Sequence, residues 1–210
     1  MTDRSLVVVS AGLSQPSSTR LLADRLATST ERHLQERGIQ PRRETIELRD
    51  HAQELVNHLL TQAPGPGIRG AIDAVLGADG LVAVTPIFNA SYSGLFKLFF
   101  DVIERDALTG MPVLVGATGG TARHSLALEH AMRPLFAYLG AATTPTAVYA
   151  AAEDWGRGDM PADASLVDRI DRAAAELATA MVASPRTIAP DPFTDPVPFE
   201  QLMRGVRPDG

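Results

Sequence analysis

Cysteine is absent from all 210 residues of this chain. Disulfides, thiol nucleophiles and cysteine-ligated metals are therefore excluded. A basic surplus is missing too: 19 Lys and Arg stand against 25 Asp and Glu, for a net charge of -6. Without an excess of cations to neutralise phosphates, general nucleic-acid binding is not expected, although one local anion site is compatible with this balance. No apolar run reaches membrane-spanning length, so no membrane association is expected. The opening Met1-Thr2-Asp3-Arg4 is polar and leads straight into a strand, so no signal peptide is expected and the expected compartment is the cytoplasm. The five histidines show no ligand spacing, and no metal is expected. No nucleophile elbow is signalled, and no dinucleotide G-x-G-x-x-G pattern is expected in the chain.

What is present centres on Val7-Val8-Val9-Ser10-Ala11-Gly12-Leu13-Ser14-Gln15-Pro16-Ser17-Ser18-Thr19-Arg20. Three valines read as a buried strand, small and hydroxylated residues as a loop, and Leu22, Leu26 and Thr30 as the face of a following helix. A helix start offers unpaired backbone N–H groups and the positive end of a dipole, which suits phosphate. Ser10, Ser17, Ser18 and Thr19 offer hydroxyl donors, and Arg20 a fixed charge. Read alone, the stretch is equally an N-cap, with Ser17 or Ser18 simply starting the helix. Two further loops have a similar character. In Thr85-Pro86-Ile87-Phe88-Asn89-Ala90-Ser91-Tyr92-Ser93-Gly94, Pro86 is expected to end a strand. Phe88 there is either an aromatic beside a planar ligand or a buried side chain under a loop, with Ser91 as an N-cap. Thr118-Gly119-Gly120-Thr121 lets a backbone approach a ligand edge, or is a tight turn. His124 follows it and is a further candidate for cofactor contact.

Strands are expected over 5–10, 43–48, 80–84, 112–117 and 143–150, and helices over 17–37, 51–60, 67–77, 95–105, 122–139 and 162–183. Pro134 should kink the fifth of these helices. Strands that alternate with helices and are apolar on both faces form a parallel sheet covered on both sides. The expected class is thus α/β, a flavodoxin-like three-layer sandwich with a five-stranded parallel sheet of order 2-1-3-4-5. Ligands of such sheets sit beyond the carboxyl ends of the strands at the switch point. Strands one, three and four end there, and they carry the three unusual loops. Residues 184–210 differ: they hold six of the 15 prolines, with Phe193, Val197, Phe199, Leu202 and Met203 among them. They read as an extended arm, not a separate domain, docked on another surface and most simply on a neighbouring subunit.

With no nucleophile or metal set, the chemistry falls to a bound cofactor, and a phosphate loop beside two ring-sized loops points to flavin mononucleotide. At these loops the chain resembles the NADPH-dependent FMN reductases of the flavodoxin-like fold. The carriers are residues 10–20, Thr85 to Lys97, Thr118-Gly119-Gly120-Thr121-Ala122-Arg123-His124, and Met132-Arg133-Pro134-Leu135 with Leu139-Gly140-Ala141. The likeness spans about residues 5–180 and implies one FMN-binding domain over 1–183. It implies that Ser10, Ser17, Ser18, Thr19 and Arg20 hold the FMN phosphate. Pro86, Ile87, Phe88, Asn89, Ala90 and Ser91 would hold the ribityl chain and ring, and Thr118, Gly119, Gly120 and Thr121 the pyrimidine edge. Many members have Tyr where this chain has Phe88. The resemblance further implies an NAD(P)H:FMN oxidoreductase, with NADPH or NADH as hydride donor and no catalytic side chain. It implies a homodimer or homotetramer, and the subgroup that supplies reduced flavin to luciferase-like monooxygenases. An FMN-containing quinone or azo-compound reductase shares every one of these loops, and a flavodoxin-type electron carrier shares the fold.

Overall fold

The computed structural model describes residues 2–156 and 163–183. Alternation along single strands divides the interior. In β1 (Thr2–Ser10), Leu6 and Val8 enter one core while Val7 and Val9 enter another. β3 (Gly80–Phe88) and β5 (Pro112–Gly119) repeat the division. Val82, Val84 and Leu114 join Leu6 and Val8, whereas Leu81, Ala83, Val113 and Val115 join Val7 and Val9. Successive side chains of a strand face opposite ways, so a run that is apolar at every position feeds two cores at once. Leu22, Leu26 and Leu34 of α1 (Ser18–Gln35) and Leu166, Ile170 and Leu177 of α6 (Ala164–Ala183) close the first core.

The second core lies under α2 (Ala52–Thr61), α3 (Pro66–Leu76), α4 (Gly94–Asp101) and α5 (Arg133–Tyr138). Its centre is aromatic: Phe100 stands 4.7 Å from Phe96 and 4.9 Å from Phe136, centroid to centroid. Each such buried ring contributes roughly 1.5–3 kcal/mol by leaving water. The two helical layers around one sheet make the expected three-layer sandwich.

The sheet runs β2 (Ile39–Glu47), β1, β3, β5, and then β6 (Ala142–Thr143) and β7 (Val148–Ala151), all parallel. This is the flavodoxin-like order 2-1-3-4-5, with seven strands in place of five. One addition is β4 (Ser91–Tyr92), antiparallel to β3; the other arises because the fifth strand is broken. Pro145 brings no N–H to the break. Arg133 donates to the carbonyls of Thr144 (2.7 Å) and Pro145 (2.6 Å), and Glu176 accepts from the Thr146 N–H at 2.7 Å. Side chains thus satisfy the backbone where the ladder stops.

Two expectations at prolines need correction. Pro86 does not end the third strand, which continues to Phe88. Beyond it Ile87 and Phe88 pair with Tyr92 and Ser91, so the backbone finds partners past the proline. The helix expected over 122–139 is in three pieces: a 3-10 turn at Ala122–His124, a π-helical turn at Leu128–Met132, and α5. Pro134 stands just past the π-helical turn in a helical run that continues unbroken from 127 to 138, and the irregularity its missing N–H calls for is that wider turn rather than a kink in one α-helix. The wider turn before it carries Arg133 N–H to Leu128 O, five residues back. No described helix is long and apolar enough to cross a membrane. The expected arm over 184–210 lies outside the described residues.

Candidate functional site

The three loops singled out in the sequence leave the carboxyl ends of β1, β3 and β5, which are neighbours in the sheet. They meet at a cleft of about 550 Å³. Its wall is built from Leu13, Ser14, Ser17, Ser18 and Thr19 of the first loop and helix start, Pro86, Ile87 and Phe88 at the end of β3, and Thr118 and Gly119 at the end of β5, which runs two residues further than the expected strand, with Gly120 just beyond it. Ala152 and Trp155, just after β7, complete it. Among the described residues, no lining side chain is ionisable near neutral pH: all are hydroxyl, apolar, indole or glycine.

The first loop is built to expose a helix end. Ala11 N–H donates to Val84 O at 2.9 Å, tying the loop to β3. Ser17 takes extended backbone and caps α1, its Oγ accepting from Arg20 N–H at 3.2 Å. Gly12 has to lack a side chain, because a Cβ there would stand 2.1 Å from Ser17 Oγ. The Thr19 and Thr118 hydroxyls bond at 2.8 Å in a buried position, joining the first loop to the third. Below the loop, Ser10 Oγ is buried without a hydrogen-bond partner.

The second loop is a hairpin. Asn89 (φ 48°) and Ala90 (φ 68°) turn the chain between β3 and β4. Both residues of such a two-residue turn need positive φ, which suits Asn but strains Ala by about 1 kcal/mol. The turn lifts Phe88 to the cleft lip, where it is 48% exposed. The reading of Phe88 as a buried side chain is thereby overturned. The helix that follows is capped by Ser93, not Ser91: Ser93 Oγ accepts from Phe96 N–H at 3.2 Å, and Ser93 N–H donates to Thr85 Oγ1 at 3.0 Å.

The third loop is held from β7. Tyr149 Oη donates to Thr121 O at 2.9 Å and lies where a Cβ on Gly119 would come within 2.0 Å. Burial, followed by the charges of Glu153 and Asp154, pushes the Tyr149 phenol above its ordinary pKa of 10.0. Gly120 has open space where its Cβ would be.

Other sequence candidates stand elsewhere. Arg20 does not line the cleft; its guanidinium is engaged by Asp24 (2.9 Å) and by Glu47, which also binds Arg49 at 2.6 Å. Asn89, Ala90 and Ser91 form the hairpin rather than the wall, and Thr121 Oγ1 accepts from Arg123 N–H at 3.3 Å. His124 and Ala90 line a separate groove of about 330 Å³ with Leu126 and His130. The expectation that no G-x-G-x-x-G pattern occurs needs correction: Gly65, Gly67 and Gly70 have that spacing, but they lie at and within the start of α3, which follows a helix rather than a strand, and Glu54 already accepts from Ile68 N–H at 2.9 Å there. Leu13, Ser14, Ala152 and Trp155 were not anticipated. The signal for Trp155 was that the only tryptophan follows the fifth strand's carboxyl end, on the same side of the sheet as the other loops.

The sequence pattern described as NADPH-dependent FMN reductase matches residues 5–156. An NADH-dependent FMN reductase, SfnE, of Pseudomonas putida is 39% identical over 149 residues, 71% of this chain and 77% of that protein. An FMN reductase (NADPH) of Pseudomonas aeruginosa is 39% identical over 150 residues, 71% of this chain and 78% of that protein. The X-ray structure of an oxidoreductase from Corynebacterium diphtheriae matches with a TM-score of 0.83 at 44% identity, covering 88% of this chain and 100% of that one. The matched span takes in every loop of the cleft, and the chain belongs to the NADPH-dependent FMN reductase family, oxidoreductases that work with FMN and NAD(P)H.

Proposed function

We propose that FMN binds in this cleft, with its phosphate at the start of α1 and its ring between Pro86–Phe88 and Thr118–Gly120. The observation that carries the reading is the convergence of three strand-end loops on the N-terminus of an 18-residue helix. The residues fit such a group. Ser17 and Ser18 bring hydroxyls beside the unpaired N–H groups of the first turn, and the helix dipole favours a dianion there. The orphaned Ser10 Oγ adds a polar atom beneath the same loop. Gly120, with open space where a Cβ would stand, keeps side-chain bulk away from the third wall. Bound FMN supplies the chemistry, accepting hydride from NADH or NADPH and handing electrons on.

The chain's own contribution is placement. Phe88 covers the lip against water, and the Thr19–Thr118 bond holds two of the walls in register. With no ionisable lining side chain, the cleft offers orientation and backbone donors rather than a side-chain acid or base. The same reading takes residues 1–183 as one flavin-binding domain, working in the cytoplasm as a homo-oligomer that supplies reduced FMN to a flavin-dependent monooxygenase. The family resemblance supports that extension.

Ser18→Asp tests the phosphate end. A carboxylate in the first turn suits the helix dipole, so the fold should hold, but it repels a phosphate. FMN affinity, read by flavin fluorescence, should fall by about 2 kcal/mol or more, roughly thirtyfold, with riboflavin affinity almost unchanged. Equal losses for the two flavins would remove the phosphate assignment.

A further inference from the structure

Trp155 is the only tryptophan of the chain and stands in the cleft wall with Ser14, Ser17 and Ser18. Its side of the sheet is defined: it packs on the core shared by α1 and α6, whereas Ile87 of the second loop packs on the opposite core. The ring is backed by α1 itself, with the Arg25 guanidinium 5.2 Å from its centroid. The turn that carries it, Ala152–Trp155, is pinned as well. Asp154 accepts from Ala151 N–H at 2.9 Å and from Arg169 at 3.4 Å, and Arg169 also donates to Tyr149 O at 3.1 Å. A bulky side chain is therefore held against α1 in the wall of the same cleft as the helix start that the phosphate reading uses.

We propose that Trp155 limits how far a flavin can extend beyond its first phosphate, making the site selective for FMN over FAD. This rests on the phosphate reading above. FMN ends in a phosphate monoester, whereas FAD continues through a second phosphate into an adenosine. A fixed ring beside the phosphate loop obstructs that continuation, and selectivity then comes from a clash with the wrong ligand rather than from added contacts with the right one.

The test measures affinities for riboflavin, FMN and FAD, by flavin fluorescence, in the wild type, Trp155→Phe and Trp155→Ala. The wild type and Trp155→Phe should prefer FMN to FAD. Trp155→Ala should narrow that preference on the order of tenfold, the size of effect that one steric difference in a pocket produces. The preference for FMN over riboflavin should persist in all three. If Trp155→Ala does not fold, Trp155→Leu shortens the wall while keeping an apolar side chain against α1, and it carries the same expectation. A persisting FMN-over-riboflavin preference with an unchanged FMN-to-FAD ratio in the shortened variant overturns the role of Trp155 alone. Equal binding of riboflavin and FMN by the wild type overturns the phosphate reading and this proposal with it.

Discussion

Phe88 shows what a single residue contributes here and why its role could not be read from the sequence. An aromatic in a loop after an apolar strand is compatible with burial or with ligand contact. Its position is decided by the Asn89-Ala90 turn, whose two positive φ angles return the chain along β3 and leave the ring at the lip. Phe88→Ala should therefore change unfolding free energy by no more than about 0.5 kcal/mol, as for a surface site, yet weaken FMN binding and shift the flavin absorbance. Phe96, fully buried among other rings, gives the contrast: its truncation should cost about 3–5 kcal/mol. Parallel urea titrations and flavin titrations check both halves, and a large stability loss at Phe88 would restore the core-packing reading.

Tyr149 carries a second expectation at this scale. Its raised pKa means that the folded state holds the phenolic proton more tightly than the unfolded chain. The stability this contributes is full below the ordinary value of 10.0 and is lost as pH rises through the folded pKa. Tyr149→Phe should cost about 0.5–1.5 kcal/mol near neutral pH through the lost bond to Thr121 O, and should flatten part of the alkaline decline. Denaturant unfolding at neutral and alkaline pH measures both; an alkaline decline as steep in the variant as in the wild type would exclude Tyr149 as a source.

At the scale of elements, the third loop depends on a partner thirty residues away. Thr118-Gly119-Gly120-Thr121 was legible as a loop that admits close approach, because glycine and hydroxyl content are local. What approaches Gly119 from inside is the Tyr149 hydroxyl, and no local pattern encodes that. Gly119→Ala should cost about 1–3 kcal/mol, since its Cβ would meet that hydroxyl at 2.0 Å. In a Tyr149→Phe background the nearest remaining ring atom is 3.1 Å away, so the same substitution should cost less. A double-mutant cycle by denaturant unfolding reads this coupling, and strict additivity would contradict the contact.

Elements broken by proline were the least legible. The fifth strand and the fifth helix both read as continuous, because apolar spacing persists across Pro145 and Pro134. What breaks them are hydrogen bonds to distant side chains, Arg133 and Glu176 for the strand, and a π-helical turn for the helix. Pro86 was misread in the other direction, since the hairpin partner that extends β3 is a tertiary pairing.

For the whole molecule, the parallel sheet and the gathering of the three unusual loops at one of its ends were legible from the βα alternation, which suits the order 2-1-3-4-5. Unbroken apolar runs within β1 (Leu6 to Val9), β3 (Leu81 to Val84) and β5 (Val113 to Val115) leave few arrangements other than a covered parallel sheet. Because these strands are parallel, the loops after β1, β3 and β5 lie at one end of the sheet. The fourth wall was not legible, because Ala152 and Trp155 carry no phosphate or ring motif and count only once β7 is placed beside β5. Arg20 shows the opposite case, a cation in the right loop whose charge is taken by Asp24 and Glu47. On the proposed reading, attraction of a phosphate to this site rests on backbone dipoles and hydroxyls.

The central claim is that this cleft binds FMN through its phosphate and presents it to reduced nicotinamide. Its most direct test is anaerobic reduction of FMN and of riboflavin by NADPH and NADH, followed in the visible flavin band, for the wild type and Ser18→Asp. The expected result is rapid bleaching of FMN by the wild type. In Ser18→Asp, kcat/KM should fall by roughly thirtyfold for FMN, with little change for riboflavin. A variant that reduces FMN with the wild-type kcat/KM would contradict the account.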